Sequence, residues 1–187
     1  MIVRERWFEN DIDDYDEEVT REKDYQPIKV WLNRPSFELT KLVKQDHHQL
    51  DEFLGQFREL KGKNRNEAMK LFLSFKAEAE KHIEWEEKII FPMFEEHTGM
   101  YHTGPTQAMR TEHRMILEML KGLADAILHS KTRTDELAET LIEKRLMELF
   151  KVHEQKEEEI LYPWIDSALW QSEKEVAMAA TEACHGV

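Results

Sequence analysis

Between residues 36 and 166 the apolar positions recur in steps of three and four, and strand-like alternation is absent. That period belongs to helices that bury one face. A first helix is predicted from near Pro35-Ser36 to Lys61, with the seam Leu39, Val43, His47, Leu50, Leu54, Phe57. Gly62 follows, a residue able to take the left-handed conformation that ends helices. The second runs from about Asn66 into the mid-90s, with Leu71, Phe75, Ala79, His82, Glu86, Ile89 and Met93 in its seam. Pro92 lacks a backbone donor and predicts a kink or an early end there. The third starts near Pro105, with the seam Met109, His113, Ile116, Leu120, Leu123, Ile127. The fourth starts near Thr134 as N-cap and carries Leu146, Phe150, His153, Glu157, Ile160 and Trp164.

The second and fourth segments share a motif. His82-Ile83-Glu84-Trp85-Glu86-Glu87, then Ile89-Ile90-Phe91-Pro92, returns as His153-Glu154-Gln155-Lys156-Glu157-Glu158, then Ile160-Leu161-Tyr162-Pro163. Asp46-His47 in the first segment likewise matches Glu112-His113 in the third. The chain is therefore two tandem helix pairs, neither able to bury its apolar stripe alone. Packed together they give an all-α fold, an antiparallel up-down four-helix bundle. The expected organisation is an N-terminal extension over 1–34, the bundle over 35–167, and a tail or short helix over 168–187, its helical part near Ser172 to Ala183. Trp7, Phe8, Tyr15, Tyr25 and Trp31 in the otherwise acidic extension suggest an ordered arm wrapping the bundle.

Six polar residues interrupt the apolar seams: His47, His82, Glu86, His113, His153 and Glu157. His82 and Glu86, like His153 and Glu157, are four apart and share a helix face. A single such pair is common by chance. A buried carboxylate without a partner costs several kcal/mol or takes up a proton. Two of them, each one turn from a histidine, call for a compensating cation. Asp51, one turn after His47, is a further candidate ligand or a partner to one, and Val43 and Met109 wall the pocket. His48 is turned about 100° from His47; His97 and His102 fall near the second loop, roughly 16 Å along the axis from the site, as surface groups, and His129 and His185 carry no pattern.

The set resembles the hemerythrin-like family of non-heme di-iron four-helix bundles, over roughly residues 36 to 166. The likeness rests on the six seam residues and on the Phe91-Pro92 and Tyr162-Pro163 endings, with Gly104-Pro105-Thr106, Met109-Arg110 and Glu112-His113 similar to bacterial members. The oxygen carriers of that family have a further histidine where this chain has Leu117, and a last-helix aspartate one residue further along than Glu157. The resemblance thus points to the signalling, iron-handling and iron–sulfur-repair branch. The repair proteins' N-terminal cysteines are missing, since Cys184 is the single cysteine.

The implied cofactor is two iron ions, oxo- or hydroxo-bridged, held by His47, His82, Glu86, His113, His153 and Glu157. If both carboxylates bridge, about two of about twelve octahedral positions stay open for dioxygen, nitric oxide or another small ligand. If each carboxylate chelates one iron, that count changes. The expected function is reversible binding of dioxygen or nitric oxide for sensing, storage or stress response. The alternatives are a di-iron enzyme (peroxidase, nitric-oxide reductase or ferroxidase) and an iron-dependent interaction module. Whether there is turnover is left open.

Composition narrows the partners. A net charge of −13 argues against nucleic acid, whose phosphates require basic surfaces. No apolar run reaches the roughly 18 residues of a membrane span, and the N-terminus lacks a signal-peptide stretch. With one cysteine there is no disulfide framework, which suits a cytoplasmic protein. The aromatic residues of the extension leave a homodimer open.

Overall fold

The computed structural model describes residues 38–130 and 132–185, with side chains to 181. The predicted wrapping arm and residues 35–37 lie outside the described residues. Seven α-helices are described: α1 Glu38–Lys61, α2 Arg65–Trp85, α3 Phe91–Thr98, α4 Pro105–His129, α5 Arg133–Lys156, α6 Tyr162–Ala168 and α7 Gln171–His185. Two π-helical turns, Glu86–Ile90 and Glu157–Leu161, join α2 to α3 and α5 to α6. The described residues contain no strand. Helix α1 pairs with α2 and α4 with α5, while contacts of α2 with α4 and of α1 with α6 join the two pairs. The result is the expected antiparallel four-helix bundle, with the expected C-terminal helix as α7.

Local chemistry sets the helix ends. The Asn64 side chain caps α2 by accepting from the Glu67 N–H at 3.3 Å. At α5 the cap is Thr132 rather than Thr134: Thr132 accepts from the Asp135 N–H, and the Asp135 carboxylate accepts from the Thr132 N–H. That reciprocal capping box satisfies two orphan donors together, which Thr134 alone would not do. Gly62 does not take the left-handed conformation expected of it; Gly99 does, at φ 70°, closing α3.

The π turns correct the predicted seams. Each closes with an i→i+5 bond, Phe91 N–H to Glu86 O and Tyr162 N–H to Glu157 O. The extra residue in the turn moves every later side chain around the axis. Beyond Glu86 the core therefore takes Ile90, Phe91 and Phe94 in place of Ile89 and Met93. Beyond Glu157 it takes Leu161, Tyr162 and Ile165, leaving Ile160 61% and Trp164 41% exposed. Nor does Pro92 end the helix, which runs on to Thr98. Pro92 and Pro163 both lie in the first turn after a π turn, where the widened coil relieves the clash of a mid-helix proline ring.

Two apolar clusters fill the bundle. One is built around Leu54, Phe57, Phe72, Phe75, Leu120 and Phe150. The other is built around Val43, Trp85, Phe91, Phe94, Tyr162 and Ile165. The six polar seam residues form a layer between them.

A buried ion pair ties the ends of the fold together. Asp166 accepts from the N–H groups of Leu39 (3.2 Å) and Thr40 (2.9 Å) and from the Thr40 hydroxyl (2.7 Å), and its other contact is Lys174 Nζ at 3.2 Å. It thereby caps α1 and docks α7, whose Lys174 is only 2% exposed. Removing one partner strands the other's charge in the interior. Asp166→Ala is expected to cost about 3–5 kcal/mol in urea unfolding, and Asp166→Asn, which also leaves the Lys174 charge uncompensated but keeps an acceptor for the α1 N–H groups, somewhat less.

Candidate metal centre

Each of the four central helical columns contributes to the polar layer. Helix α1 supplies His47, α2 with its π turn His82 and Glu86, α4 His113, and α5 with its π turn His153 and Glu157. All six are buried, with Glu86, His113 and Glu157 fully so. Their donor atoms fall into two overlapping groups, Glu86–His113–His153–Glu157 and His47–His82–Glu157. Within each group the ligand atoms lie within 4.8 Å of one another.

The imidazoles present Nε2 to the centre. His47 Nε2 is 3.1 Å from Glu157 Oε2, His153 Nε2 is 3.0 Å from Glu157 Oε1, and His113 Nε2 is 3.1 Å from Glu86 Oε2. His82 Nε2 stands 3.6 Å from Glu86 Oε2, and the Nε2 atoms of His113 and His153 face each other at 3.2 Å. The His113–His153 contact is a hydrogen bond, while the histidine–carboxylate approaches are close but not aligned as hydrogen bonds. His47 Nε2, His82 Nε2, Glu86 Oε2 and both Glu157 oxygens are buried without a hydrogen-bond partner. Buried polar groups are almost always paired, so five orphans aimed into one layer make it a candidate cation site. The donor set, imidazole and carboxylate, fits a first-row transition metal.

Behind each ring stands a carboxylate. The Nδ1 atoms of His47, His82, His113 and His153 donate to Glu158 (2.9 Å), Asp46 (2.5 Å), Glu87 (2.9 Å) and Glu112 (3.1 Å). An ionised carboxylate only accepts, so Nδ1 carries the proton and Nε2 is the atom available to a metal. The pattern follows the tandem repeat. The acid preceding the first histidine of a pair holds the second histidine of that pair, and the acid following each seam glutamate holds a histidine of the other pair. The π turns make that last arrangement possible. Less rotation per residue lets Glu86 and Glu87, or Glu157 and Glu158, reach the layer together.

Charge is balanced by proximity. Burial lowers the His47 and His113 pKa values, but the facing Glu157, joined at His113 by Glu86, outweighs it and raises both to about 10. Glu157, despite its burial, is held well below the usual carboxylate range by His153, His113 and His47. The Tyr162 hydroxyl donates to Glu86 Oε1 at 2.7 Å. Burial, with Glu86 beside it, pushes its phenol well above the ordinary value and keeps it a donor.

The family description "Hemerythrin HHE cation binding domain" matches residues 38–165, and a second match covers 105–183. The chain belongs to the hemerythrin HHE cation-binding domain family. No curated protein sequence and no solved structure matches it.

Within this hemerythrin HHE domain the Gly104-to-His113 stretch supports the layer. Gly104, at φ 103°, admits the turn into Pro105. Thr106 donates to the buried Glu95 at 2.6 Å and Arg110 pairs with the same carboxylate. The Arg110 guanidinium lies 5.3 Å over the Phe91 ring, which in turn stacks on His113 at 5.7 Å and 8°. Val43 and Met109 are buried in the adjoining apolar cluster.

Other sequence candidates stay outside. Asp51 is exposed and joins neither donor group; it lines a cavity of about 410 Å³ with Leu50, Leu54, Phe75, Phe150 and Glu154. His48 is exposed beside Glu52, His97 pairs with Glu173, and His129 bonds the Asp125 carbonyl. The side chains of Cys184 and His185 lie outside the described residues. Sequence reasoning missed Asp46, Glu87, Glu112 and Glu158 as ring holders and Tyr162 as a partner of Glu86. The signal for the four acids was present, since each adjoins a seam ligand at a repeated offset.

Proposed function

We propose that His47, His82, Glu86, His113, His153 and Glu157 hold two iron ions, and that the chain binds dioxygen or nitric oxide at an open position for sensing, storage or stress response. The observation that carries this reading is the set of five buried, unpartnered donor atoms in one layer. Iron bound there would supply affinity for small diatomic ligands and one-electron chemistry. The chain's own residues fix the imidazole tautomers, neutralise the layer and exclude water through the apolar clusters on either side. Leu117, partly buried against the neighbouring cluster, offers no ligand where a further histidine would close a position.

The test is metal content with an optical spectrum, before and after air reaches the anaerobically reduced protein. About two irons per chain are expected. Near-ultraviolet charge-transfer bands should appear in air and vanish in His82→Ala. A folded chain that takes up no iron would overturn the reading. Repeated turnover with an added reductant would favour the enzyme over the binding protein.

The ring-holding carboxylates yield a further expectation. Asp46→Asn keeps the size of the side chain but weakens its hold on the His82 Nδ1 proton. Metal affinity should fall by about 10–100-fold in a competition titration against a chelator, with the melting curve of the metal-free protein little changed. An unchanged affinity would mean that the carboxylate is not orienting a ligand.

A further inference from the structure

We propose that the cleft between α1 and α5 is a binding site for a small primary ammonium ion with an apolar body, independent of the metal layer. Three sides of the bundle are closed by helix packing, α1 on α2, α2 on α4 and α4 on α5. On the fourth side α1 approaches the α5 column at its π turn and stands off from α5 itself. The gap that remains is a cavity of about 410 Å³, a size within the range of small-molecule sites.

The floor of this cavity is apolar. Leu50, Leu54, Phe75 and Phe150 are buried there, with Met147 packed beside them. The Phe75 and Phe150 rings meet at 5.5 Å and 50°. The polar lining is Asp51, Glu148, Lys151 and Glu154, so three carboxylates face one ammonium group. Glu148 is exposed and stands 3.9 Å from Lys144. The side chains of Asp51 and Glu154 have no hydrogen bond or ion pair among the described residues. Glu154 is half-buried. Burial works against its charge, His47 offsets part of that cost, and Asp51 on the facing helix adds to it.

That lining selects the occupant. Asp51 and Glu154 converge with no third ligand, as the donors of the central layer do, so the mouth does not suit a bare metal ion. An anion would meet three carboxylates. A neutral apolar molecule would cover the floor but leave Glu154 without a donor. An ammonium head between Asp51 and Glu154 supplies charge-assisted hydrogen bonds to both helices. Its alkyl or aryl body then shields Leu54, Phe75 and Phe150 from water. Lys151 is exposed at the mouth, where its flexible stem keeps its own charge in solvent.

The experiment titrates phenethylammonium chloride into the full chain, metal-free and zinc-loaded, with isotope-labelled methionine methyl groups read by NMR. At about pH 8 the amine is still charged. The Met147 methyl signal should move with a dissociation constant of about 1 mM or tighter. Met109, in the other apolar cluster, should stay in place, and zinc should leave the constant little changed. Phenethyl alcohol, the neutral match, and phenylpropionate, the anionic one, should bind at least about tenfold more weakly. Glu154→Gln should weaken the amine by a similar factor and leave the alcohol unaffected, with circular dichroism checking the fold. Asp51→Asn, at an exposed position, gives the same comparison if Glu154→Gln does not fold. A Met147 signal that does not move overturns the proposal, and so does equal binding of amine and alcohol. Tighter binding of phenylpropionate, through Lys151, also overturns it. Amine binding that zinc abolishes would place the amine in the central layer and overturn it as well.

Discussion

Glu157→Gln is expected to reduce bound metal from about two ions per chain to at most one. Glu157 is the one residue present in both donor groups, and each of its oxygens approaches a different histidine pair. Glutamine preserves shape and one acceptor oxygen, but it loses the negative charge and replaces the other oxygen with a donor that repels a cation. The loss should be visible in metal analysis after desalting. It should also be visible in the metal-free protein. Glu157 is among the groups that raise His47, His113 and His153. With its charge gone, burial pulls those imidazoles back down, which imidazole NMR reads directly. Glu86→Gln is the contrast. It removes one donor from the four-donor group only, so two ions should still bind at saturating metal, more weakly. A Glu157→Gln protein that retains two ions at wild-type affinity would remove Glu157 from its spanning place.

The bundle was legible in the sequence because burial of one helix face leaves a periodic trace, and α1 and α4 keep an unbroken period from end to end. Every predicted seam position from Leu39 to Phe57 and from Met109 to Ile127 is buried, with Thr40 and Ala124 joining from adjacent positions. The other two long segments obey the same rule only as far as Glu86 and Glu157. A π turn inserts one residue into the helix without interrupting its apolar composition, so Ile89 looks as good a core residue as Ile90. The clue lay in Pro92 and Pro163, each six residues after a seam glutamate, where an undisturbed helix would not tolerate the ring. The six central donors were readable because a tandem repeat places chance matches twice over. Their carboxylate supports were harder to assign, because each reaches across to a different helix. Asp46 serves His82 and Glu158 serves His47, pairings that only the assembled bundle defines.

The metal-free protein is expected to lose stability as the pH rises from 6.5 toward 10, and its apparent metal affinity should climb over the same interval. His47 and His113 move from 6.5 when unfolded to about 10 when folded. A proton held more tightly by the folded chain stabilises the fold. That contribution is complete below the unfolded pKa and is lost as the pH passes through the folded one. Glu157 works in the opposite direction. Held well below the ordinary carboxylate value of 4.5, it contributes above that value and loses its contribution as the pH falls through the folded pKa. The metal-free melting temperature should therefore peak between the two ordinary values, in mildly acidic solution. A metal ion takes the Nε2 position that the extra proton occupies, so near neutrality binding must displace one proton from each of these two histidines. Affinity then rises about tenfold per pH unit for each proton displaced. Zinc, which does not oxidise, is the convenient probe. Calorimetry in buffers of different ionisation enthalpy counts the protons released, and melting curves across the pH range follow the stability. Zinc binding without proton release, or a metal-free protein more stable at pH 9 than at 6.5, would show that these imidazoles are neutral before metal arrives. The layer would then be charged by its carboxylates alone, and metal would compete with solvent cations instead of protons.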